Sequence, residues 1–594
     1  MTKRWTLLLA LLATTLLANA QAFNLRLLNH WDNPDGTVER GFAGRSIWKW
    51  EEIPAGKGTM PKALKARYEE YGRINQSYGI NGTVLNNVNA KPMSLSTDML
   101  KKTAKIADVL RPYGIKVYLS VNFASPKALG DLATADPLDP KVQQWWQKKA
   151  KEIYRLMPDF GGFLVKANSE GEPGPMDYGR THVDGANMLA EALKPYGGIV
   201  MWRAFVYSAK DGKGNTQKTA AQLAYEGDRA NQAYEEFVRF DGQFADNVII
   251  QIKNGPVDFQ PREPVSPLFF ALKKTKMMVE FQITQEYTGE SIHTCFLAPM
   301  WREFFDTLGD IPLEGVAGVA NIGDSPNWTA NDLAMANWYA FGRLANAPST
   351  PSRQIAQDFL RDYYNTTDAR FVEPMTQLLL RSREAVVDYM MPLGLHHIFA
   401  GVHHYGPEPW YAPKGCREDW LPRFYHRADT LGLGFNRSDH NEPCLKGNAG
   451  SNNVSQYPEP LRTLYNNMET CPEHLLLWFH HVPWNYTLHN GLSLWDNLCY
   501  TYDRGISQAQ SFVKTWEAMR PYVEPERHAA QLRRFERQAK DAQWWRDACL
   551  LYFQQFSGMP LPPDSPAPKY TLKELMDYRL DMDMYTAAPI DMLP

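Results

Sequence analysis

The chain is 594 residues long, which is enough for two or more domains that each bury a sizeable core. Hydrophobic residues make up 44% of the chain, aromatic residues make up 12%, and the net charge is −3 at pH 7, as is common in globular proteins. Because basic residues are not in excess, the composition argues against a nucleic-acid-binding function.

The N-terminus has the pattern of a secretory signal peptide. Lys3 and Arg4 precede an apolar run that ends at Leu17, and a small-x-small cleavage pattern follows at Ala18-Asn19-Ala20. We therefore predict a signal peptide over residues 1–20 and export to the periplasm or the extracellular space. The apolar run is short for a membrane span, and no later segment is apolar for long enough, so we expect no membrane association of the mature chain.

Eight strand-like segments follow, each succeeded by an amphipathic helical stretch. They are Leu25–Leu28, Gly82–Leu85, Lys116–Ser120, Gly162–Lys166, Ile199–Trp202, Val248–Lys253, Met277–Gln282 and Gly315–Ala320. Eight such units over about 320 residues have the number and length expected of a (β/α)8 TIM barrel. We predict that this barrel occupies residues 21–347.

Polar side chains follow every predicted strand. The segments are Asn29-His30-Trp31-Asp32, Asn86-Asn87-Val88-Asn89, Asn122-Phe123, Asn168-Ser169-Glu170, Arg203, Asn254-Gly255, Gln285-Glu286 and Asn321-Ile322-Gly323-Asp324. Helix-capping residues would explain one or two of these positions but not eight. The pattern predicts a polar ring at one mouth of the barrel, where barrel enzymes do their chemistry.

From about residue 348 the pattern changes to helical periodicity, as in Phe371–Tyr389 and Pro525–Phe556. We predict a second, mainly α-helical domain over residues 348–594. Its helices are separated by long loops, residues 401–420 and 436–457, which are rich in Trp, Gly, Asn and His. Loops of this length usually pack over something, and here we expect either the barrel mouth or another subunit.

Three acidic residues lie just beyond predicted strands four, six and seven: Glu170, Asp258 and Glu286. Cleavage of a glycosidic bond requires a proton donor on the leaving oxygen and a second carboxylate that acts on water or on the anomeric carbon. Burial and like-charged neighbours would keep the donor protonated near neutral pH. The structural alternative is that these acids pair with nearby Lys or Arg residues.

Three cations occupy equivalent positions: Lys166, Arg203 and Lys253. Fixed positive charge lowers the pKa of a neighbouring proton donor, which works against acid catalysis unless an anion also binds there. A carboxylate on the substrate would resolve this difficulty, and Arg203 has the shape for bidentate contact with it. In the alternative interpretation the cations neutralise Asp258 and Glu286, and the residues alone favour neither.

Neither cysteine nor histidine predicts a metal site. The six cysteines contain no CxxC pair. The adjacent histidines His396-His397, His403-His404 and His480-His481 point apart on any helix or strand, so hydrogen bonding within the long loops is the expected role. We predict no metal and no cofactor.

Several motifs resemble family 67 of the glycoside hydrolases, the α-glucuronidases. The likeness extends from about Leu25 to near the C-terminus. Its motifs are Trp31-Asp32-Asn33, Asp35-Gly36-Thr37-Val38-Glu39-Arg40-Gly41, Gly79 to Asn87, Val165-Lys166-Ala167-Asn168-Ser169-Glu170-Gly171, Trp202-Arg203-Ala204-Phe205, Ile252 to Gln260, Gln285-Glu286-Tyr287-Thr288 and His480-His481-Val482-Pro483-Trp484.

The resemblance implies an inverting hydrolase that removes terminal α-1,2-linked glucuronic acid, or its 4-O-methyl ether, from xylan-derived oligosaccharides (aldouronic acids). It implies that Glu170 is the proton donor and that Asp258 and Glu286 are the base carboxylates. It also implies that the uronic acid is bound by Lys166, Arg203 and Lys253. It also implies a homodimer. Two alternatives stay open: a retaining glycosidase acting on similar oligosaccharides, and a non-catalytic uronic-acid-binding protein.

The sequence departs from the family pattern at two points. Family members usually carry a β-rich domain before the barrel, whereas here we expect the barrel a few residues after the signal peptide. In addition, Glu172 stands where the family commonly has Gln. A second carboxylate so close to the donor would raise the donor's pKa if it pointed inward, and we expect it to point outward.

Overall fold

The computed structural model describes residues 22–205, 209–210, 216–217, 228–416, 418–439, 450–588 and 590. The predicted signal peptide, residues 1–20, lies outside these ranges. Within these ranges, every helix is too short or too polar to span a bilayer.

Eight parallel strands close into a barrel, which confirms the predicted fold class. They are β1 (Leu25–Asn29), β2 (Gly82–Val84), β3 (Lys116–Ser120), β4 (Gly162–Val165), β5 (Ile199–Arg203), β6 (Val248–Lys253), β7 (Met277–Gln282) and β8 (Gly315–Val319). Neighbours in sequence pair with each other, and β8 pairs with β1 to close the barrel, with Leu25 opposite Gly315. Each strand agrees with its predicted bounds to within one residue.

Helices cover the outside of the barrel, so its strands are shielded on both faces. The helices are α1 (Lys62–Tyr78), α2 (Thr97–Leu110), α3 (Ser125–Gly130), α4 (Pro140–Leu156), α5 (His182–Leu193), α6 (Gln232–Val238), α7 (Leu268–Ala271), α8 (Ala298–Leu308) and α9 (Met335–Asn346). Strands β6 and β7 are buried at every position, as expected of parallel strands that helices cover.

Local signals in the sequence begin several of these helices. Before α4, the Asp139 side chain accepts a hydrogen bond from the Lys141 N–H at 2.7 Å. Before α5, Thr181 and Asp184 form a reciprocal capping box. Such caps satisfy N–H groups that the first turn of a helix leaves unpaired.

The chain after α9 is mainly helical, with α10 (Ser352–Tyr363), α11 (Ala369–Met390), α12 (Pro422–His426), α13 (Leu461–Tyr465), α14 (Leu476–Phe479), α15 (Leu494–Ala518), α16 (Pro525–Ser557) and α17 (Leu572–Asp577). Helices α11, α15 and α16 pack against one another. The predicted boundary between residues 347 and 348 lies in the connection from α9 to α10. Two short antiparallel pairs, Ala209–Lys210 with Thr216–Gln217 and Gly432–Leu433 with Val482–Pro483, lie outside the barrel.

Gly162, at the start of β4, gives a test of the barrel packing. Its φ is +143°, and a Cβ there would lie 2.0 Å from the Ile199 carbonyl oxygen of β5. We expect Gly162→Ala to lower the midpoint of thermal unfolding by at least about 5 °C, because the two strands would have to separate. Gly56→Ala is the matched control, since no atom lies within 4 Å of its Cβ position. Equal midpoints for the two variants would contradict the packing described.

Candidate active site

A cavity of about 530 Å³ lies at the carboxyl ends of the barrel strands. Its wall includes all six residues singled out from the sequence: Lys166, Glu170, Arg203, Lys253, Asp258 and Glu286. The loop between α11 and α12 closes over it, with Phe399, Val402, His404, Tyr411 and Trp420 in the lining. The loop was expected to pack over either the barrel mouth or another subunit, and in the structure it packs over the barrel mouth.

The loop that carries Glu170 is held rigidly after β4. The buried Asn168 side chain donates to Asp177 Oδ1 at 2.9 Å and accepts from the Met176 N–H at 3.1 Å. Asn168 and Glu170 both have positive φ, of 53° and 50°, in a region that non-glycine residues rarely adopt. Backbone strain of this kind persists where the surroundings impose it, and here it directs Glu170 into the cavity.

Glu170 forms an ion pair with the Lys166 ammonium group, which also donates to Asn89 Oδ1 at 2.7 Å. Burial beneath the cavity walls raises the pKa of Glu170, but the charge and the hydrogen bond of Lys166 outweigh it and lower the pKa to about 2. The side chain is nevertheless 41% exposed, because it faces the open cavity. In the free protein Glu170 is therefore ionised at neutral pH.

Asp258 follows β6 and is surrounded by donors. Lys253 Nζ lies 2.8 Å from Oδ1, the Tyr287 hydroxyl donates to Oδ2 at 2.7 Å, and Arg229 Nη2 lies 3.4 Å from Oδ2. Burial raises the pKa of Asp258, but the positive charges of Lys253 and Arg229 outweigh it and hold the pKa well below its usual range. Asp258 is therefore an ionised proton acceptor.

Glu286 follows β7 and has a different set of partners. Its Oε1 lies 2.8 Å from both Arg40 Nε and His404 Nδ1, and its Oε2 accepts from Gln282 Nε2 at 2.7 Å. Burial raises the pKa of Glu286, but the charge of Arg40 and the hydrogen bond and charge of His404 together outweigh it, so the pKa falls below its ordinary value. Glu286 is thus a second ionised carboxylate on the cavity wall.

The three predicted cations line the cavity, but each already has an acidic partner. Lys166 pairs with Glu170, Lys253 pairs with Asp258, and Arg203 pairs with the buried Glu280 of β7. The interpretation that the cations neutralise Asp258 and Glu286 therefore holds for Asp258 alone. Lys253 also lies 3.7 Å from the ring centroid of Phe205, a cation–π contact that helps to hold its position.

Arg203 is already engaged by an acid in the free protein. Its Nε and Nη2 donate to the two oxygens of Glu280 at 2.8 and 2.7 Å, and Gln251 also donates to Glu280 at 2.6 Å. A buried carboxylate with two strong donors does not release them readily. The bidentate contact with a substrate carboxylate stays a prediction, and it would use the N–H groups of Nη1 and the second N–H group of Nη2.

Glu172 lies outside the cavity lining. It is half-buried rather than fully exposed, and it accepts a hydrogen bond from Asn122 Nδ2 at 3.1 Å. Burial raises its pKa. The polar Asn122 after β3 draws the carboxyl group toward the neighbouring strand end.

Sequence reasoning missed four residues that contact the acids: Arg40, Arg229, Tyr287 and His404. Arg40 and Tyr287 stand within motifs noted above, yet no periodicity shows that they point inward. His404 and His397 hydrogen bond within the loops, His404 to Glu286 and His397 to Arg229 at 3.2 Å. Over the described ranges, no group of three His, Cys, Asp or Glu side chains is arranged to hold a metal ion.

Two family profiles match the sequence. One, described as the glycosyl hydrolase family 67 middle domain, matches residues 11–312, and another, described as the family 67 C-terminus, matches residues 329–565. The chain belongs to glycosyl hydrolase family 67. The resemblance seen in the motifs is thereby confirmed.

Two relatives are named as alpha-glucuronidases. The chain is 41% identical over 562 residues to alpha-glucuronidase A of Emericella nidulans, covering 90% of this chain and 63% of that protein. It is 40% identical over 554 residues to a probable alpha-glucuronidase A of Aspergillus fumigatus, with 90% and 62% coverage. The family 67 chain thus spans less than two thirds of the length of these relatives.

Comparison with solved structures gives matches of low sequence identity and low TM-score. A GH138 enzyme targeting pectin rhamnogalacturonan II has a TM-score of 0.46 at 12% identity, covering 91% of this chain and 60% of its own. A family GH115 4-O-methyl-alpha-glucuronidase with specificity for decorated arabinogalactans has a TM-score of 0.41 at 11% identity, covering 89% and 56%.

The ion pair between Lys166 and Glu170 can be tested without substrate. In Lys166→Met, we expect the pKa of Glu170 to rise from about 2 toward or above its ordinary value. The substitution removes the charge and the hydrogen bond that lower this pKa, while burial, which raises it, remains. Carboxyl ¹³C NMR titration measures this, with Glu170→Gln used to assign the signal. Lys149→Met, which removes a cation paired with Glu152 on α4, is the control and should leave the pKa unchanged. An unchanged pKa in Lys166→Met would refute the pairing.

Proposed function

We propose that this family 67 chain is an inverting α-glucuronidase. Its substrate would be an aldouronic acid, from which it releases terminal α-1,2-linked glucuronic acid or the 4-O-methyl ether. The observation that carries the proposal is a single cavity in which three carboxylates face a set of cations. Membership of family 67 and the naming of the relatives as alpha-glucuronidases support it.

The first step is binding of the sugar carboxylate among the cations. Lys166, Arg203 and Lys253 are all buried, with 3%, 3% and 8% of their surfaces exposed, so a carboxylate that reaches them is shielded from water. Arg203 donates from Nη1 to the substrate carboxylate. Lys166 forms an ion pair with the same carboxylate, which weakens its ion pair with Glu170. A neutral hexose offers no such exchange, and this is the basis of specificity for a uronic acid.

The second step is protonation of Glu170. Once the substrate carboxylate compensates the Lys166 charge, burial dominates and the pKa of Glu170 rises from about 2. Glu170 then takes up a proton and becomes a general acid near neutral pH. The bound substrate in this way creates the protonated state that the free protein lacks.

The third step is a single displacement. Asp258, Glu286 or both accept a proton from water, whose oxygen bonds to the anomeric carbon while the bond to the xylose oxygen breaks. Glu170 gives its proton to that departing oxygen. Tyr287 and Arg40 hold the two base carboxylates in place, at 2.7 Å from Asp258 and 2.8 Å from Glu286.

Removal of the proposed donor should divide substrates by leaving group. We expect Glu170→Ala to lower kcat on methylglucuronosyl xylotriose at least about 100-fold, since a xylosyl oxygen needs protonation. Activity on α-glucuronosyl fluoride should persist, because fluoride leaves without a proton. Release of glucuronic acid measures the first reaction and a fluoride electrode the second. Full activity on the oligosaccharide would reject Glu170 as the acid.

The stereochemical outcome distinguishes the mechanisms. We expect proton NMR of the wild-type reaction to show β-glucuronic acid as the first product, because one displacement on an α-linkage inverts the anomeric centre. The α-anomer appearing first would establish the retaining alternative. Calorimetric binding of the oligosaccharide without any turnover would instead establish the non-catalytic binding protein.

A further inference from the structure

The C-terminal segment beyond α17 forms neither helix nor strand over residues 578–588, and it turns at Met584 and Tyr585. From Tyr578 to Tyr585 its residues are alternately half-buried and exposed. A period of two places one set of side chains toward the protein and the other toward solvent. Tyr578, Leu580, Met582 and Met584 form the inward set. We call residues 578–588 the C-terminal strap.

A small hydrophobic cluster, separate from the main core, holds the C-terminal strap in place. Its buried members are Ile292, Tyr405, Trp544, Ala548, Leu575 and Ala588. Tyr578, Leu580 and Met582 pack against this cluster. The strap is therefore anchored by apolar burial on both sides of Met584, at Met582 and at Ala588.

Hydrogen bonds tie the same segment to the catalytic wall. The Ala588 N–H donates to Glu290 Oε2 at 2.9 Å, and Glu290 lies four residues after Glu286. The Met584 carbonyl oxygen accepts from the Arg40 N–H at 2.9 Å. Arg40 in turn forms the ion pair with Glu286. The strap thus joins the cavity beside one of the proposed base carboxylates.

At this point Met584 becomes part of the cavity lining. Met584 is half-buried there, and Val402 and Trp420, also in the lining, are 46% and 43% exposed. The cations that would hold the uronic acid are buried, whereas these apolar side chains are open to solvent. The cavity is therefore charged at its base and apolar at its rim, so a sugar beyond the scissile bond would meet the rim.

The strap lies outside the regions that the family profiles match. The second profile ends its match at residue 565, before residues 578–588.

We propose that Met584 of the C-terminal strap is a specificity-determining residue that contacts the leaving-group xylose. This inference rests on the proposed function. Methionine adapts its shape to an irregular surface, as a sugar beyond the scissile bond requires. The Met584 side chain selects oligosaccharide substrates without touching the bond that is cleaved.

The test compares two substrates that share the uronic acid. Methylglucuronosyl xylotriose carries a sugar leaving group, whereas α-glucuronosyl fluoride carries none. In Met584→Ala, we expect kcat/KM on the oligosaccharide to fall by roughly tenfold, as when an apolar contact is lost. On the fluoride kcat/KM should equal that of the wild type.

Met576→Ala is the matched control, because Met576 is exposed on α17 and lies outside the cavity lining. It should alter neither reaction. Equal losses on both substrates would show that the strap supports the fold only, and no loss on either would show that the rim is not used. Both results overturn the inference alone. A wild-type chain that releases no uronic acid from either substrate would overturn the proposed function and the inference with it.

Discussion

The ion pair between Lys166 and Glu170 is the interaction on which the chemistry of the cavity depends. Lys166 lies at the end of β4, and Glu170 lies four residues later in the loop that follows. Without a ligand, the lysine holds the proposed acid ionised, because its charge and its hydrogen bond together outweigh the effect of burial on the carboxyl pKa. In the proposed reaction an anionic sugar would relieve this constraint, so that substrate recognition and formation of the general acid would occur together.

Charge balance in the rest of the cavity follows the same rule. Buried charges are costly unless they are paired and hydrogen bonded, and each carboxylate here has its own cation. Asp258 has Lys253, Glu286 has Arg40, and Arg203 is committed to Glu280. The proposed bases are therefore kept ionised by fixed partners, whereas the acid is kept ionised by a partner that a substrate can engage.

Most of the barrel was predictable because its information is local. Strands such as β6 and β7 are continuous apolar runs, and each ends in polar residues at one mouth, so both the fold class and the positions of Glu170, Asp258 and Glu286 could be inferred. The partners of Glu172 and Arg203 were not predictable. They are Asn122, in the loop after β3, and Glu280, on β7, and neither enters a sequence pattern around the residue that it contacts.

The amino-acid sequence alone determined the eight-strand order, the helical character of the second half and the family, since periodicity and motifs are properties of short stretches of chain. Only the tertiary structure decided which charges pair, that His404 reaches Glu286 from a distant loop, and that Met584 completes the cavity wall. Contacts between segments hundreds of residues apart depend on how the helices and loops pack over the barrel. That packing is a property of the whole chain, and no single segment encodes it.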